Sequence, residues 1–247
     1  MSNTNTSNVI AWLVPTARGS FADKATHLIT NIFRTVATDS SPLLASRLPN
    51  LVTSKPAKAI QLSFDQAPKR PGSFVLGSDP LRCDVVLPSL PGIASRHCEV
   101  SFDAEGRLVL NDFSDRGTQV WYDWESNGDQ TDYTWLLSSG CSHGFPSTVQ
   151  RITIDIQGVR FQLVVNDHSA DWDAYRTNVE AFVKQPSWTD GLTSGWDRTS
   201  VNPVVPLFSS IPSFQHIFVK SIGEEPSGEM YLWNLSRPWE PMVKAAA

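Results

Sequence analysis

Residues 74–122 decide the fold of this chain and read FVLGSDPLRCDVVLPSLPGIASRHCEVSFDAEGRLVLNDFSDRGTQVWY. Five short runs in and beside this stretch are rich in Val, Leu, Phe and Trp: SFVLG, CDVVLP, HCEVSFD, RLVLNDF and TQVWYD. Clusters of Gly, Pro, Asp and Ser separate these runs at roughly the 8–12 residue spacing that is typical of strands in a sandwich. The stretch has no helical period, so it predicts an all-β fold.

Two of these runs alternate apolar and polar residues, as half-buried strands do. They are CEVSFD and RLVLND, and AEGR joins them as a short hairpin in which Gly106 is suited to a positive φ angle. A two-residue hairpin is predicted at Gln157-Gly158, within VQRITIDIQGVRFQLVV. With VIAWLVP, AIQLSFD and TWLLSS, the chain contains about ten predicted strands, enough for a β-sandwich of two packed sheets.

Length, charge and cysteine count exclude several classes of protein. A chain of 247 residues with 40% hydrophobic content is long enough for one large sandwich or for two small domains. Its net charge of −5 gives no general attraction to nucleic acid or anionic membranes, so we expect neither as a partner. The N-terminus has neither the basic segment of a signal peptide nor an apolar run long enough for a membrane span. Three cysteines are an odd number for a disulfide framework, and we expect an intracellular protein of the cytoplasm or nucleus.

No residue pattern indicates a metal, a cofactor or a catalytic nucleophile. His97 with Cys98, and Cys141 with His143, have spacings that fit no common zinc pattern. Ser, His and Asp are present without a nucleophile-elbow motif, so the simpler interpretation is scattered surface residues. We therefore expect no cofactor and no metal.

The order of motifs in the central stretch resembles the forkhead-associated (FHA) domain family. The motifs are Gly77, CDVVLP, Ser95-Arg96-His97 and the run from Asp112 to Thr118. The sequence RHCEVSFDAEGRLVLNDFSDRGT is also similar to that of FHA domains fused to Ser/Thr kinases in filamentous fungi. The resemblance implies a β-sandwich whose apical loops bind phosphothreonine peptides, so the expected partner is a phosphorylated or unphosphorylated protein.

By this resemblance, three loops supply the phosphopeptide site. Arginine, serine and backbone N–H groups are suited to it, because charge-assisted hydrogen bonds to phosphate are strong and directional. The resemblance also implies that His97 is a structural brace beneath the loops. The candidate binding residues are Ser78, Arg82, Ser95, Arg96, Ser114, Arg116, Gly117 and Thr118.

The chain departs from the family pattern at each donor. The family has Arg after the strand glycine, where this chain has Ser78. Alignment on His97 places the family's loop Ser on Ala94, and Arg116 replaces the Asn of its Asn-Gly-Thr turn. Either Ser95 and the nearby arginines compensate or the site has decayed. We expect weakened binding, because a serine does not replace a bidentate arginine contact.

Flanking segments are predicted to be additions to the sandwich, which spans residues 9–168. Residues 17–57 are interpreted as an insertion with a single amphipathic helix from Phe21 to Val36, capped by Asp23. A C-terminal helix is predicted over 169–184, followed by a Pro-, Gly- and Ser-rich linker over 185–213. The residues predicted to share one face of that helix are Trp172, Tyr175, Val179, Phe182 and Val183.

The tail, residues 214–247, resembles the start of a protein-kinase N-terminal lobe. Gly223 and Gly228 occupy Gly-rich loop positions and Lys244 the position of the strand lysine. No downstream catalytic-loop base or metal-binding DFG-type carboxylate follows, so the parts that phosphoryl transfer requires are absent from the sequence. We expect a degenerate fragment and no enzyme activity. The alternative interpretation is a pseudokinase, or the remnant of an FHA-kinase fusion.

Overall fold

The computed structural model describes residues 8–39, 41–47, 58–138, 149–184, 231–233 and 241–244. The chain divides into two compact units, Met1–Gly195 and Trp196–Ala247. The first unit is a sandwich of two β-sheets with few helices, which confirms the predicted fold class.

Twelve strands among the described residues build the sandwich. Their bounds are β1 Val9–Pro15, β2 Thr35–Ala37, β3 Lys58–Ser63, β4 Ser73–Gly77, β5 Val85–Val86, β6 Cys98–Phe102, β7 Leu108–Asp112, β8 Gln119–Tyr122, β9 Glu125–Ser126, β10 Thr134–Leu136, β11 Ile152–Ile156 and β12 Val159–Val165. One sheet has the order β2-β3-β1-β12-β11-β8-β9 and the other β10-β7-β6-β4-β5. Neighbouring strands are antiparallel, except β4 and β5, which are parallel.

The core lies between the sheets and follows the alternation of the strands. On β12, Val159, Phe161 and Leu163 face the core at two-residue spacing. Val164 lies on the opposite face of the same strand, in a smaller cluster with Trp12. The outer face is covered there by Leu44 of the short helix α2, Pro42–Arg47. Each such buried side chain contributes about 1.5–3 kcal/mol relative to an exposed one.

Both predicted hairpins are present. Gly106, between β6 and β7, has φ +72°. The β11–β12 turn consists of Gln157 and Gly158, with φ +50° and +90°, so that Ile156 pairs with Val159. Two positive φ angles are those of a type I′ turn, whose twist matches that of the flanking strands.

The insertion between β1 and β3 is not the single helix that the sequence predicts. It forms the short helix α1, Phe21–Thr26, a 3₁₀ helix, Ile29–Arg34, and the edge strand β2. The N-cap of α1 is Ser20, whose hydroxyl accepts a hydrogen bond from the backbone N–H of Asp23 at 3.2 Å. The prediction of Asp23 as the cap is therefore also wrong.

A break at Leu28 explains this difference. Its backbone is extended, with ψ 133°, which interrupts the helical hydrogen bonds and reorients the following turn. Asn31 is buried as a result, while Ile32 and Phe33 are exposed to solvent, Phe33 at 91%. The apolar period assumed one continuous helix, and it therefore assigned these side chains to the wrong face.

Asn31 closes the outer edge of β5. Its Nδ2 donates to the carbonyl of Val86 at 2.7 Å, and its Oδ1 accepts from the N–H of Val86 at 2.9 Å. The same Nδ2 also donates to the carbonyl of Ala25 at 2.8 Å. The side-chain amide thus takes the place of a neighbouring strand at a sheet edge.

Helix α3, Trp172–Lys184, confirms the predicted C-terminal helix and packs at one end of the sandwich, called here the basal end. The hydroxyl of Tyr175 donates to the carbonyl of Gly106 at 2.9 Å. The ring of Phe182 lies 5.0–6.0 Å, centroid to centroid, from the rings of Phe64, Phe74 and Phe102. Two residues that were predicted on the buried face, Trp172 and Val183, are exposed.

The second unit is described only at two short strands. They are β13, Tyr231–Trp233, and β14, Pro241–Lys244, which pair antiparallel. The predicted linker 185–213 lies outside the described residues, as do Gly223 and Gly228 of the segment that was predicted to resemble a kinase lobe. Among the helices that are described, none has the length and apolar character needed to cross a membrane.

Candidate functional site

Three loops and one hairpin turn meet at the end of the sandwich opposite α3, called here the apical end. They are the β4–β5 loop, residues 78–84, the β5–β6 loop, 87–97, the β7–β8 loop, 113–118, and the turn at 157–158. They meet because β4, β7 and β11 end where the antiparallel strands β6, β8 and β12 begin. Loops clustered on a rigid sandwich are a common location for binding sites.

Gly77 allows the first two loops to touch. A Cβ atom at this position would lie only 2.5 Å from the carbonyl oxygen of Ser95. Ser78 donates to the carbonyl of Ala94 from both its N–H, at 3.1 Å, and its hydroxyl, at 3.2 Å. Asp79 donates its N–H to the carbonyl of Ser95 at 3.1 Å. The Ser78 hydroxyl is therefore already used within the protein.

His97 joins the β5–β6 loop to the β7–β8 loop. Its Nδ1 accepts from the N–H of Ala94 at 3.1 Å, so the ring proton is on Nε2, which donates to the carbonyl of Gly117 at 3.1 Å. The ring is fully buried. Burial lowers the pKa of His97, because desolvation disfavours the charged ring more than the Gly117 carbonyl favours it. The neutral ring thus accepts a hydrogen bond from one loop and donates one to the other.

Asp112 organises the β7–β8 loop from within the sandwich. Its carboxylate accepts the Ser114 hydroxyl at 2.9 Å, the Thr118 hydroxyl at 2.7 Å and the Ser114 N–H at 3.1 Å. The Ser114 hydroxyl in turn accepts from the N–H of Gly117 at 2.9 Å. Ser114, Gly117 and Thr118 are buried, and both hydroxyls point inward. These three residues shape the loop and, in this conformation, do not present donors to a ligand.

Besides the half-buried Ser78, four of the candidate residues remain at the surface or half-buried. Ser95, Arg82 and Arg116 are exposed, and Arg96 is partly exposed with its guanidinium 5.2 Å from the ring centre of Phe113. Arg82 forms a 3.5 Å ion pair with Asp79, three residues before it. The remaining positive charge of the apical end is thus carried by arginines of three different loops.

Asp84, at the end of the β4–β5 loop, was not singled out from the sequence. Its buried carboxylate accepts the N–H groups of Lys69 and Val75, each at 2.9 Å, and pairs with Arg34 of the insertion at 3.2 Å. Burial raises the pKa of Asp84, while these hydrogen bonds and charges oppose the rise. The insertion is therefore connected to the end of the β4–β5 loop.

Gln157 and Asp112 were also missed. Asp112 has a local signal, since Asp followed two residues later by Ser is typical of an Asx turn. Gln157 has none: its Nε2 donates to the carbonyls of Arg116, at 3.1 Å, and Gly117, at 2.9 Å, forty residues away in sequence. Such a contact depends on the fold, and a local pattern does not reveal it.

The described residues contain no group of His, Cys, Asp and Glu side chains arranged to hold a metal. Cys83 and Cys98 are free and buried, and burial raises the pKa of the Cys83 thiol to about 11, so it is not a thiolate nucleophile at neutral pH. Cys141 and His143 lie outside the described residues.

Comparison with known protein families finds a match for the central segment of the chain. Residues 74–142 match the model of the FHA domain family, and this segment includes all three apical loops. No curated protein sequence matches the chain.

Several solved FHA domains are similar to the chain at low identity. The FHA domain of the CT664 protein from Chlamydia trachomatis is 19% identical, with 44% of this chain and 86% of that chain covered and a TM-score of 0.29. The FHA1 domain of yeast Rad53 is 17% identical, with 72% and 87% covered and a TM-score of 0.32. The N-terminal FHA domain of Rad53p from S. cerevisiae, in complex with a phosphothreonine peptide, is 19% identical, with 55% and 94% covered and a TM-score of 0.30.

Proposed function

We propose that this chain is a protein-interaction module of FHA type that recognises phosphothreonine peptides through a weakened phosphate site. The observation that carries the proposal is the match of residues 74–142 to the FHA domain family. Within that segment, Gly77 and His97 hold the three apical loops against one another, as a shared peptide site requires. The partner is then a phosphorylated protein or, if phosphate recognition is lost, an unphosphorylated one.

Arg96 and Arg116, with the hydroxyl of Ser95, are the groups best suited to a phosphate. They are at least partly exposed and belong to two loops that His97 ties together. Charge-assisted hydrogen bonds from guanidinium groups are the strong component of phosphate recognition. Arg82 contributes less, because Asp79 already pairs with it.

Ser78 is the reason to expect weak binding. The family has an arginine at this position, whereas the Ser78 hydroxyl carries no charge and is bonded to the carbonyl of Ala94. We expect a dissociation constant no tighter than about 0.1 mM for phosphothreonine peptides, which corresponds to roughly 5.5 kcal/mol.

Calorimetry with one phosphothreonine peptide selected from a library tests this proposal. The double variant Ser78→Arg with Arg116→Asn should bind more tightly than the unmodified chain, since it restores the family pattern. Arg176→Asn, on exposed α3 surface, is a matched control for loss of one surface arginine and should have no effect.

Two results would change the proposal. Low-micromolar binding by the unmodified chain, lost in Ser95→Ala or Arg116→Ala, would show that neighbouring residues compensate for Ser78. Absence of binding by both the unmodified chain and the restored variant would overturn phosphate recognition and leave only the phosphate-independent interaction.

The proposed role involves no catalysis and an intracellular location. Free, buried Cys83 and Cys98 support a reducing compartment. The similarity to fungal FHA-kinase fusions and the remnant interpretation of residues 214–247 stay predictions. Incubation with labelled ATP should show no phosphoryl transfer; transfer that disappears in Lys244→Met would support the kinase alternative.

A further inference from the structure

We propose that Gln157 is a positioning residue for the peptide-binding loops, an inference that rests on the proposed function for the identity of the ligand. Its side-chain amide, on the β11–β12 turn, donates to the carbonyls of Arg116 and Gly117 at 3.1 and 2.9 Å. Because both acceptors are carbonyl oxygens, the amide nitrogen must face them. Gln157 thereby connects the β11–β12 turn to the β7–β8 loop, the segment that passes from the five-stranded to the seven-stranded sheet.

The backbone of Gln157 is unusual for this residue type. Its φ of +50° lies in the left-handed region, where a two-residue type I′ turn favours Asn, Asp or Gly. Gln has no local advantage there, since its longer side chain does not form the compensating bond to its own backbone that Asn forms. A non-glycine residue in this conformation at a loop contact indicates that another interaction requires it.

The length of the side chain supplies that interaction. The neighbouring β5–β6 loop leaves space for it at Gly92, where a Cβ atom would lie 2.9 Å from Gln157 Oε1. Gly92 itself has φ +91°, so a side chain is disfavoured there on two grounds. The amide of Gln157 therefore lies where three apical segments meet.

Gln157 and His97 fix the same peptide group from two sides. The carbonyl of Gly117 accepts from His97 Nε2 as well as from Gln157 Nε2, so both of its lone pairs are used. The preceding carbonyl, of Arg116, is held by Gln157. Two successive peptide planes are thus oriented, and the first of them, between Arg116 and Gly117, adjoins the Cα atom from which the exposed Arg116 side chain leaves the loop.

The test compares three variants of the full chain at this position. Gln157→Asn suits the type I′ turn and keeps the amide but is one methylene too short. Gln157→Gly suits the turn without a side chain, and Gln157→Glu keeps the length but presents an acceptor to two carbonyls. Amide hydrogen exchange is followed at Gly117 and Thr118, with Gly158 and Val159 as controls within the hairpin.

We expect exchange at Gly117 and Thr118 to accelerate about five- to tenfold in all three variants, the factor that corresponds to one lost hydrogen bond of ordinary strength. Exchange at Gly158 and Val159 should not accelerate in the Asn and Gly variants, and their melting temperature should be unchanged or higher. Unchanged exchange at Gly117 and Thr118, or equal acceleration at all four amides together with a lower melting temperature, would overturn the proposal.

Binding of a phosphothreonine peptide mixture is measured on the same variants. An affinity that decreases in Gln157→Asn by about the same factor as exchange accelerates supports the positioning role. Unchanged affinity despite faster exchange in the loop contradicts it. If the unmodified chain binds no phosphothreonine peptide, the proposed function fails, while the exchange data still decide whether Gln157 orders the loop.

Discussion

The two ends of the sandwich are closed by different kinds of interaction. At the basal end, Phe182 of α3 packs its ring against those of Phe64 and Phe102, which also stack on each other. At the apical end, the buried polar side chains of His97 and Asp112 hold the loops through directed hydrogen bonds. The basal end is thus held by buried apolar area and the apical end by directed hydrogen bonds.

This difference shows why the candidate site lies at the apical end. Hydrophobic burial is large but non-directional, and it permits small shifts of the groups that it brings together. Hydrogen bonds contribute less net stability, yet they fix distances and angles, which a bound phosphate requires of its donors. The basal end is accordingly expected to determine stability and the apical end the shape of the loops.

The largest effect is expected at the basal end. Phe182→Ala removes a ring that is 1% exposed and should lower the free energy of unfolding by about 3–5 kcal/mol. Urea denaturation measures the change, and Val183→Ala, its exposed neighbour, should stay within about 0.5 kcal/mol. A loss below about 1 kcal/mol for Phe182→Ala would mean that the aromatic cluster does not dominate stability.

An intermediate effect is expected at Asp112. Asp112→Ala leaves the Ser114 N–H and two hydroxyls without their acceptor and should cost about 2–3 kcal/mol. Asp112→Asn keeps one carbonyl acceptor and should cost less. Urea denaturation gives the cost, and amide exchange at Gly117 should show that the loop loosens in both variants. A loop that stays protected in Asp112→Ala would remove the distinction between the two ends.

A smaller effect on stability is expected from pH, because each end of the sandwich contains a histidine that is at least partly buried. Burial lowers the pKa of His97 and also that of His168, whose Nε2 is buried without a hydrogen-bond partner among the described residues. Since both rings are neutral when folded, stability is complete above an unfolded-state pKa of about 6.5 and falls as the pH decreases below it.

Melting temperatures between pH 7.5 and 5.5 measure this slope. His97→Asn and His168→Asn should each make it shallower. The protection of the Ala94 amide, relative to its intrinsic exchange rate at each pH, should decrease with acid only where His97 is present. Stability that rises toward pH 5.5 in the unmodified chain is the outcome that these pKa directions do not allow.

The smallest effect is expected for the surface ion pair of Arg82 and Asp79. Arg82→Ala should change the free energy of unfolding by less than about 0.5 kcal/mol, since the pair is exposed and 3.5 Å apart. Urea denaturation is the measurement. A larger loss would indicate that the β4–β5 loop depends on this pair rather than on buried Asp84.

The strands and turns can be predicted from the sequence because their signals are local. Alternation marked β6, β7, β11 and β12, and Gly106 marked a turn with positive φ. The structure of the insertion cannot be predicted in the same way. Its residues repeat at helical spacing, but the buried partners of Asn31 lie on β5, and tertiary hydrogen bonds overrode the local period.

The candidate site can be predicted from the sequence only in part, for a related reason. The resemblance located the loops and named Ser114 and Thr118 as binding residues, but residue type does not reveal which way a hydroxyl points. Their partner, Asp112, is buried beneath the loop, and Gln157 contacts the loop carbonyls from the β11–β12 turn. Orientation and long-range contacts of this kind follow from the assembled fold alone.

The amide of Asn31 at the edge of β5 also bears on self-association. An uncovered strand with free N–H and carbonyl groups is a template to which another chain can add. Here one side chain occupies both groups of Val86, so an incoming strand finds neither donor nor acceptor at that residue. Without the Asn31 amide, this edge of β5 would offer both a donor and an acceptor to another chain, and self-association is the expected consequence.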